Sequence, residues 1–329
     1  MTQAGRDPIT VSHASCAREY EIQFHRASSK VSPHTYFHSD IKCKKMLRPL
    51  LVACVLTVAL RAGCAQDRPY FVTYWHDLEE RGEMEVASRT AIATPKPGNP
   101  FGAMAAELEY GLVDWWTVEL YVDGQATDED SAILTGFRFE NRIKPLKGEH
   151  VVNPVLYVEY GNVTGADKTV LEVVGHDDQD DLNTPNGTAR RTHEHEGEFR
   201  LILSSNVGAW NFAENFIFEK DLGHAPWEFG YSVGATRPLR AHSTRSCRFC
   251  ADRVVLGAET YGGLGDTSAL TLGDTSHYIA PLLGWAFSNR ARMSFSPGFG
   301  IGQTSLNRVY RIELAYEFEP FARRSRGVD

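Results

Sequence analysis

The most constraining feature of the sequence is a repeated stretch of about ten residues in which apolar and polar side chains alternate before a turn. Near the C-terminus, for example, Tyr310, Ile312 and Leu314 alternate with Arg311 and Glu313. Alternation of period two is typical of a β-strand whose two faces differ. Because the pattern fills most of the chain beyond residue 82, the sequence predicts an all-β protein.

Twelve such stretches are predicted as strands, at 83–94, 101–111, 115–125, 131–144, 150–161, 194–206, 209–219, 226–238, 252–262, 276–287, 291–301 and 307–318. The connections after even-numbered strands are mostly short, as at 207–208, whereas those after odd-numbered strands are longer, as at 162–193. The connection 239–251 is an exception. Sorting of loop lengths by parity is typical of transmembrane β-barrels, and a soluble sandwich gives no reason for it.

Alternation alone leaves open whether the apolar rows face inward, as in a soluble lipocalin-like barrel, or outward toward lipid. Two observations favour lipid. The polar rows are rich in charge, and aromatic residues such as Trp115, Trp227, Trp285 and Phe318 lie near strand ends, where membrane barrels carry aromatic girdles. We therefore predict a closed antiparallel transmembrane β-barrel of about twelve strands, with a secreted soluble β-protein as the alternative.

The bulk composition does not contradict this prediction. The chain is 42% hydrophobic and its mean hydropathy is −0.32, which is what an average over alternating rows gives. The formal net charge of −8 argues against a nucleic-acid partner, which would favour a basic face. The partner expected from this composition and patterning is outer-membrane lipid.

A short apolar run, Leu50–Leu60, is too short to cross roughly 30 Å of hydrocarbon as a helix. Basic residues precede it, and small residues at Gly63 and Ala65 follow it. This order indicates a secretory signal at 46–65, cleaved before Gln66, rather than a short buried helix. A lipoprotein signal at Cys64 is less favoured, because Arg61 stands where an aliphatic residue is usual.

The chain divides accordingly into five segments. Met46 stands where a translation start is expected, so we expect 1–45 to be a disordered leader that reflects the choice of start site. The segments are the leader 1–45, the signal peptide 46–65, an N-terminal periplasmic segment 66–82, the transmembrane barrel 83–318 and a C-terminal tail 319–329.

The last predicted strand, which ends Tyr316-Glu317-Phe318, resembles the C-terminal β-signal of bacterial outer-membrane proteins. The stretch from Tyr110 to Trp115 resembles a periplasmic turn of such barrels. From Arg81 to Phe318 the chain is similar, at the level of the class, to outer-membrane β-barrels of the twelve-stranded small-solute channel or transporter type. It departs from the class in the residues that follow the final aromatic.

The resemblance implies a bacterial outer-membrane location, passive passage of small hydrophilic solutes and no cofactor. It also implies that the barrel-assembly machinery recognises Tyr316 and Phe318 during insertion.

Charged residues of the polar rows are the candidates for lining the lumen and setting its selectivity: Glu107, Glu119, Arg138, Arg142, Glu159, Arg200 and Arg311. Acidic residues outnumber basic ones along these rows, which favours a narrow, mildly cation-tolerant pore. The same residues, with Arg292 and Glu198, could instead pair and close a small barrel. Twelve strands lie between filled eight-stranded barrels and open porins, so both interpretations stay open.

Metal binding is weakly indicated. The long loop carries four aspartates whose oxygens could bind Ca²⁺, but without a fixed ligand spacing a solvated acidic loop is favoured: Asp177, Asp178, Asp180 and Asp181. His193 and His195 could hold a metal by their imidazoles, although a solvent-facing position is favoured. No metal site is therefore predicted.

Cys247 and Cys250 are the cysteine pair expected in the mature protein. Without a second pair or a histidine after Cys250, structural zinc and haem attachment are poorly supported. The periplasm is oxidising, so the pair is a candidate local disulfide in its turn.

An enzymatic barrel is a remote alternative. Lipase-type barrels place a histidine two residues before the serine, and no strand carries this spacing. Ala241-His242-Ser243 has the wrong spacing, and His176 with Asp177 supplies only half of an aspartate–histidine site. We predict a non-enzymatic protein, with a rim hydrolase as the remote alternative and a closed structural or binding barrel as the nearer one.

Overall fold

A computed structural model describes residues 69–95, 98–168, 174, 182–223, 225–240, 253–302 and 304–318. The predictions for 1–65, for Asp177, Asp178, Asp180 and Asp181, for Cys247 and Cys250 and for 319–329 fall outside these residues. The described strands are β1 (Met84–Ala93), β2 (Phe101–Val113), β3 (Trp116–Thr127), β4 (Ala132–Ile143), β5 (Asn153–Thr164), β6 (His193–Val207), β7 (Trp210–Asp221), β8 (Glu228–Pro238), β9 (Val254–Asp266), β10 (His277–Ala286), β11 (Ala291–Gly300) and β12 (Arg308–Phe318).

The strands form one closed antiparallel barrel in which each strand pairs with its neighbours along the chain. Closure is made by β1 and β12, from Met84 opposite Phe318 to Ala93 opposite Val309. A closed barrel leaves no strand edge with unpaired backbone groups. The predicted all-β, twelve-stranded closed barrel is confirmed, and the predicted strand ends lie within a few residues of the observed ones.

The alternation within each strand sorts side chains between the inside and the outside of the barrel. In β3, Glu119 and Tyr121 are each 1% exposed, whereas Leu120 is 43% and Val122 is 45% exposed. Apolar residues on the other strands are exposed in the same way, such as Met104 on β2. The outer wall is therefore an apolar surface, and the charged rows are enclosed.

The two ends of the barrel differ in their connections. At one end, the turn end, lie the start of β1, the end of β12 and tight connections such as the two-residue turn between Val207 and Trp210. Gly208 in that turn has a φ of +61°, a left-handed conformation that glycine adopts without strain. The opposite end, the loop end, carries the longer connections, including 165–192 with the short helix α1 (Asn186–Ala189). No helix among the described residues is long and apolar enough to cross a membrane.

The ladder between β10 and β11 is interrupted half-way along the strands. Backbone pairing runs from Tyr278 to Ile279 and resumes only at Leu283. By the register of these pairs, Pro281 stands directly opposite Pro297. Neither proline has an N–H to donate, so both hydrogen bonds that this position would make are missing. We call this interruption the proline seam.

Candidate functional site

The lumen is lined by charged side chains at an unusual density. Ten carboxylates that project inward from the strands are buried: Glu85, Glu107, Glu109, Glu119, Asp123, Glu140, Glu159, Glu198, Glu259 and Glu313. Six arginines project inward among them: Arg89, Arg138, Arg142, Arg200, Arg292 and Arg311. Enclosed charges must be paired to be tolerated, and the lumen pairs most of them.

Arg142 is the centre of the densest ion-pair group. Its Nη2 contacts the carboxylates of Glu109 and Glu119, and its Nε lies 3.3 Å from Oε1 of Glu140. These acids project from β2, β3 and β4, which are consecutive in the wall. One guanidinium therefore ties together three adjacent strands from inside the barrel.

Two further arginines bridge strands in the same way. Nε of Arg89 lies 2.9 Å from Oε2 of Glu107 and 3.0 Å from Oε2 of Glu313, which joins β2, β1 and β12. Nε of Arg138 lies 2.9 Å from Oδ2 of Asp123. The ion pairs extend around a large part of the inner wall rather than forming a single site.

All seven lumen residues singled out from the sequence project inward, and Glu119, at 1% exposed, is among the most enclosed. Their role in selectivity stays a prediction. Arg89 and Glu313 were not among the lumen residues predicted from the sequence, although the inward row of β1, which runs Glu85, Ala87, Arg89, carries the same alternation. Tyr316 lies on the outward row of β12, and Phe318 ends that strand opposite Met84.

Residues 69–82, here called the lumen segment, run along the inside of the barrel, and Glu80 and Arg81 are exposed at the turn end. The hydroxyl of Tyr70 donates to Oδ1 of Asn211 over 2.9 Å. The backbone N–H groups of Val72 and Thr73 donate to Oε2 of Glu259 over 3.2 and 3.0 Å. The buried carboxylate of Glu259 is thus held by the segment's backbone.

Tyr74 is held to the wall by both its backbone and its side chain. Its backbone N–H donates to Oδ1 of Asn215 over 2.6 Å, and its carbonyl accepts from Nδ2 of Asn215 over 2.9 Å. Its hydroxyl donates to Oε2 of Glu140 over 3.0 Å, and the guanidinium of Arg200 lies 5.1 Å from its ring. Burial and the charge of Glu140 raise the pKa of Tyr74 well above its ordinary value, so the phenol stays a hydrogen-bond donor.

The lumen segment enters and leaves at the turn end. Tyr70 contacts Asn211, near the start of β7, while the backbone N–H of Gly82 donates to the carbonyl of Gly111 over 2.8 Å, near the end of β2. The prediction of a periplasmic segment at 66–82 gave these residues no place within the barrel. Their aromatic content is the signal that could have indicated burial, because rings exposed to water on a free tail would be costly.

His76 fastens the segment to the wall. It is fully buried, its Nδ1 contacts the hydroxyl of Ser204, and its Nε2 lies 2.9 Å from Oε2 of Glu149. Burial lowers the pKa of His76 below its ordinary value of 6.5, and the carboxylates of Asp77 and Glu149 oppose this shift without cancelling it.

Hydroxyl, imidazole and carboxylate in a row are also the groups of a hydrolytic triad. Here, however, the Ser204 oxygen also accepts the backbone N–H of His76 over 3.1 Å and is enclosed. With its oxygen enclosed and bonded to the backbone, Ser204 belongs to the contact that fastens the segment to the wall.

The loop end holds a cavity of about 660 Å³, here called the vestibule. Acidic residues outnumber basic ones in its lining, and among them are Glu159, Glu194, Glu196, Glu198 and Asp221. Val174 of the long loop is 2% exposed and belongs to the same buried apolar cluster as Val72 and Leu306. The loop end thus combines an acidic vestibule with a loop residue packed inside the barrel.

In the described part of the chain, two groups of carboxylates have oxygens within 4.8 Å of one another, and one of them consists of Glu85, Glu107 and Glu109. Arginines already contact these acids, since Arg292 contacts Glu85 and Arg142 contacts Glu109. The arrangement is that of an ion-pair network. His193 and His195, weighed above as metal ligands, are exposed at the start of β6.

No family model matches the chain, and no curated protein matches it. Solved structures do resemble it. An outer membrane channel from Pseudomonas putida F1 is 11% identical, with 74% of this chain and 97% of that chain covered and a TM-score of 0.44. The translocator domain of the autotransporter NalP from Neisseria meningitidis is 11% identical, with 83% and 95% covered and a TM-score of 0.39.

Outer membrane phospholipase A from Escherichia coli is 9% identical, with 78% of this chain and 95% of that chain covered and a TM-score of 0.35. These likenesses are distant. The assignment to closed twelve-stranded barrels rests on the strand ladder of this chain itself.

Proposed function

We propose that the chain is a bacterial outer-membrane barrel through which small hydrophilic solutes pass by diffusion, with a preference for cations. The observation that carries the proposal is the inversion of polarity across one wall. Leu120 is 43% exposed on the outside, while its neighbours Glu119 and Tyr121 are 1% exposed inside. An apolar exterior suits lipid tails, and an enclosed charged interior suits hydrated solutes.

The preference for cations follows from the charge of the lumen. Ten buried carboxylates face six inward arginines, and acidic residues outnumber basic ones in the lining of the vestibule at the loop end. Rings of acidic side chains favour cations in a pore because they replace part of the hydration shell and lower the electrostatic barrier.

The lumen segment sets the limit on passage. Two cavities of about 60 Å³ each flank it, which is room for a few water molecules. The vestibule is far larger, with a volume of about 660 Å³. In the conformation described, the narrow part of the path is therefore the half of the barrel at the turn end, and a solute passes only when the segment moves aside.

Planar-bilayer recording on the refolded protein tests the proposal. A variant that lacks residues 69–80 is compared with the complete mature chain, because the deletion leaves the strand ladder untouched. We expect brief or small conductance steps from the complete chain, steady and several-fold larger steps from the deletion variant, and a reversal potential in a KCl gradient that indicates cation preference.

A closed barrel is the second candidate, and the ion pairs that cross the lumen favour it. Silence from both proteins, with insertion verified by protease resistance, would establish the closed barrel and refute passage. Failure of either protein to insert into bilayers at all would refute the membrane location.

A further inference from the structure

Carboxylates on neighbouring strands of this barrel stand directly opposite one another, strand after strand. Glu85 of β1 is paired with Glu317 of β12 on one side and with Glu109 of β2 on the other. The pairing continues without a break from β2 to β9. We call these residues the carboxylate row, and in order around the wall they are Glu317, Glu85, Glu109, Glu119, Glu140, Glu159, Glu198, Glu219, Glu228 and Asp266.

The carboxylate row climbs from one end of the barrel to the other. Glu85 is the second residue of β1, close to the turn end. Glu228 is the first residue of β8 and Asp266 is the last residue of β9, and both lie at the loop end. Strands in a closed barrel are tilted, so a line of paired residues rises as it passes around the wall. Like charges that stand directly opposite destabilise a pair of strands, so a row of this length requires cations close to it.

Arginines supply these cations to the part of the row nearer the turn end. The contacts are those of Arg292 with Glu85, Arg142 with Glu119, Arg138 with Glu159 and Arg200 with Glu198. The inward rows of β7 and β8 and the whole of β9, in contrast, carry no arginine or lysine. The strands that hold Glu219, Glu228 and Asp266 therefore contribute no inward basic side chain to the other part of the row.

This other part of the row opens into the vestibule. Glu219 and Glu228 both belong to its lining, and both are half-buried. The lining contains eight carboxylates against three arginine or lysine side chains. A cleft lined mainly by one sign of charge raises the local concentration of ions of the opposite sign. The vestibule is therefore suited to cations.

A hydroxyl in the same lining gives a second, independent indication of a ligand. The oxygen Oγ1 of Thr164 is enclosed, and among the described residues it has no hydrogen-bond partner. Most buried hydroxyls are bonded to protein, and one that is not suits a water molecule or an ion. The vestibule thus offers both carboxylates and a hydroxyl to a hydrated cation.

We propose that Glu219 and Glu228 make the vestibule selective for cations, whereas the arginine-paired part of the carboxylate row, from Glu85 to Glu198, holds strands together. Neither Glu219 nor Glu228 is among the residues that the sequence predicts to set selectivity. The proposal rests on the cation preference proposed above and places its origin at the loop end.

The reactivity of a thiol in the vestibule tests this proposal without requiring conduction. A cysteine replaces Thr192, an exposed residue of the lining, and serines replace Cys247 and Cys250 in the mature protein. In detergent micelles, where both ends of the barrel are open to reagents, the rate of reaction with a positively charged methanethiosulfonate is divided by the rate with a negatively charged one. The same ratio for a free thiol provides the reference.

We expect the ratio in this background to exceed the reference several-fold, because the acidic lining attracts the cationic reagent. The double substitution Glu219→Gln, Glu228→Gln should lower the ratio about threefold or more, since an amide keeps the shape and removes the charge. Glu129→Gln is the matched control, because Glu129 is exposed at the same end but does not line the vestibule, and it should leave the ratio unchanged.

Protease resistance of each variant shows that the barrel has folded, and the two single substitutions, each expected to give part of the change, replace the double one if it does not fold. A ratio equal to the reference, or one that survives loss of both carboxylates, overturns the proposal. A ratio that persists in 1 M salt, where the Debye length is about 3 Å, also overturns it, because the cause is then not electrostatic. The expected ratios together with silence in planar bilayers refute passage and leave this proposal standing.

Discussion

Arg142 shows how single residues hold this lumen together. Its guanidinium contacts Glu109 and Glu119 and lies 3.3 Å from Glu140, and all of these groups are enclosed. A planar fork with five donors suits several carboxylates at once, whereas an ammonium is a compact point charge. Loss of this one cation would leave three acids close together without a positive partner.

Replacing Arg142 with methionine should therefore destabilise the barrel by about 3–5 kcal/mol, the usual cost of removing one partner from a buried ionic group. Urea unfolding of the protein in lipid vesicles measures the change. The double variant Arg142→Met, Glu119→Gln should recover part of the lost stability, because it removes one of the three carboxylates that Arg142→Met leaves unpaired. Equal stability of wild type and Arg142→Met would show that these ion pairs do not hold the strands.

His76 gives the lumen segment a dependence on pH. Its pKa is lowered by burial, so the docked segment binds a proton less readily than the released one. Docking is therefore fully stable above the ordinary histidine value of 6.5 and weakens as the pH falls below it. Docking becomes less favourable at low pH because protonation of His76 favours the released state of the segment.

We expect the conductance, or the protease sensitivity of residues 69–82, to rise as the pH is lowered from about 7.5 to about 5. His76→Gln should flatten the pH dependence, since an amide keeps hydrogen bonds without titrating. His150, an exposed histidine in the nearby turn, provides a matched control through His150→Gln. A pH dependence that survives in His76→Gln would assign the effect to another group.

Among the elements, the lumen segment is held by polar contacts more than by a continuous ladder. The side chain of Asn215 imitates a strand partner, because it accepts from the Tyr74 N–H and donates to the Tyr74 carbonyl. Asn215→Leu removes both bonds and leaves two enclosed backbone groups without partners.

Each such hydrogen bond contributes roughly 1 kcal/mol, so Asn215→Leu should release the segment about 10- to 30-fold more often. Limited proteolysis between residues 69 and 82 in vesicles measures the release, with the barrel itself remaining resistant. Asn211→Leu removes one side-chain contact of the segment, that with the Tyr70 hydroxyl, and a bond to Asn206 in the wall, and it should release the segment less often than Asn215→Leu. Similar proteolysis in Asn215→Leu and wild type would contradict this account of docking.

The proline seam lowers the stability of the pairing between β10 and β11. Pro281 and Pro297 cost the β10–β11 ladder two hydrogen bonds at the middle of the strands. Restoring both N–H groups through Pro281→Val and Pro297→Val should raise the free energy of unfolding by about 1 kcal/mol, after the loss of proline's restriction of the unfolded chain is deducted.

Each single substitution should give less than the double one, as judged by urea unfolding in vesicles. Pro154→Val on β5 is the control, because its ladder with β6 is continuous and only the unfolded chain changes. No gain in the double variant would mean that the gap is held open by packing rather than by the missing donors.

For the whole molecule, the strands were predictable because each carries its own alternation, and the barrel closes as expected from their even number. Inward placement of Arg142 or Glu119 follows from the same period. The lumen segment was not predictable in this way, because its place depends on side chains scattered over distant strands, such as Asn211, Asn215 and Glu259. The ion-pair partners could not be predicted from the sequence either, because the register between strands decides which charged residues meet.

The proposed membrane position requires that the apolar rows touch lipid while the charged rows are enclosed. Spin labels placed singly from Thr117 to Val122 on β3 test this most directly, by their collision rates with oxygen dissolved in lipid and with a water-soluble nickel complex. We predict high oxygen accessibility at positions 118, 120 and 122 and low oxygen accessibility at 117, 119 and 121. Uniformly low oxygen accessibility along the strand would contradict the account, because it would place the apolar rows inside protein rather than against lipid.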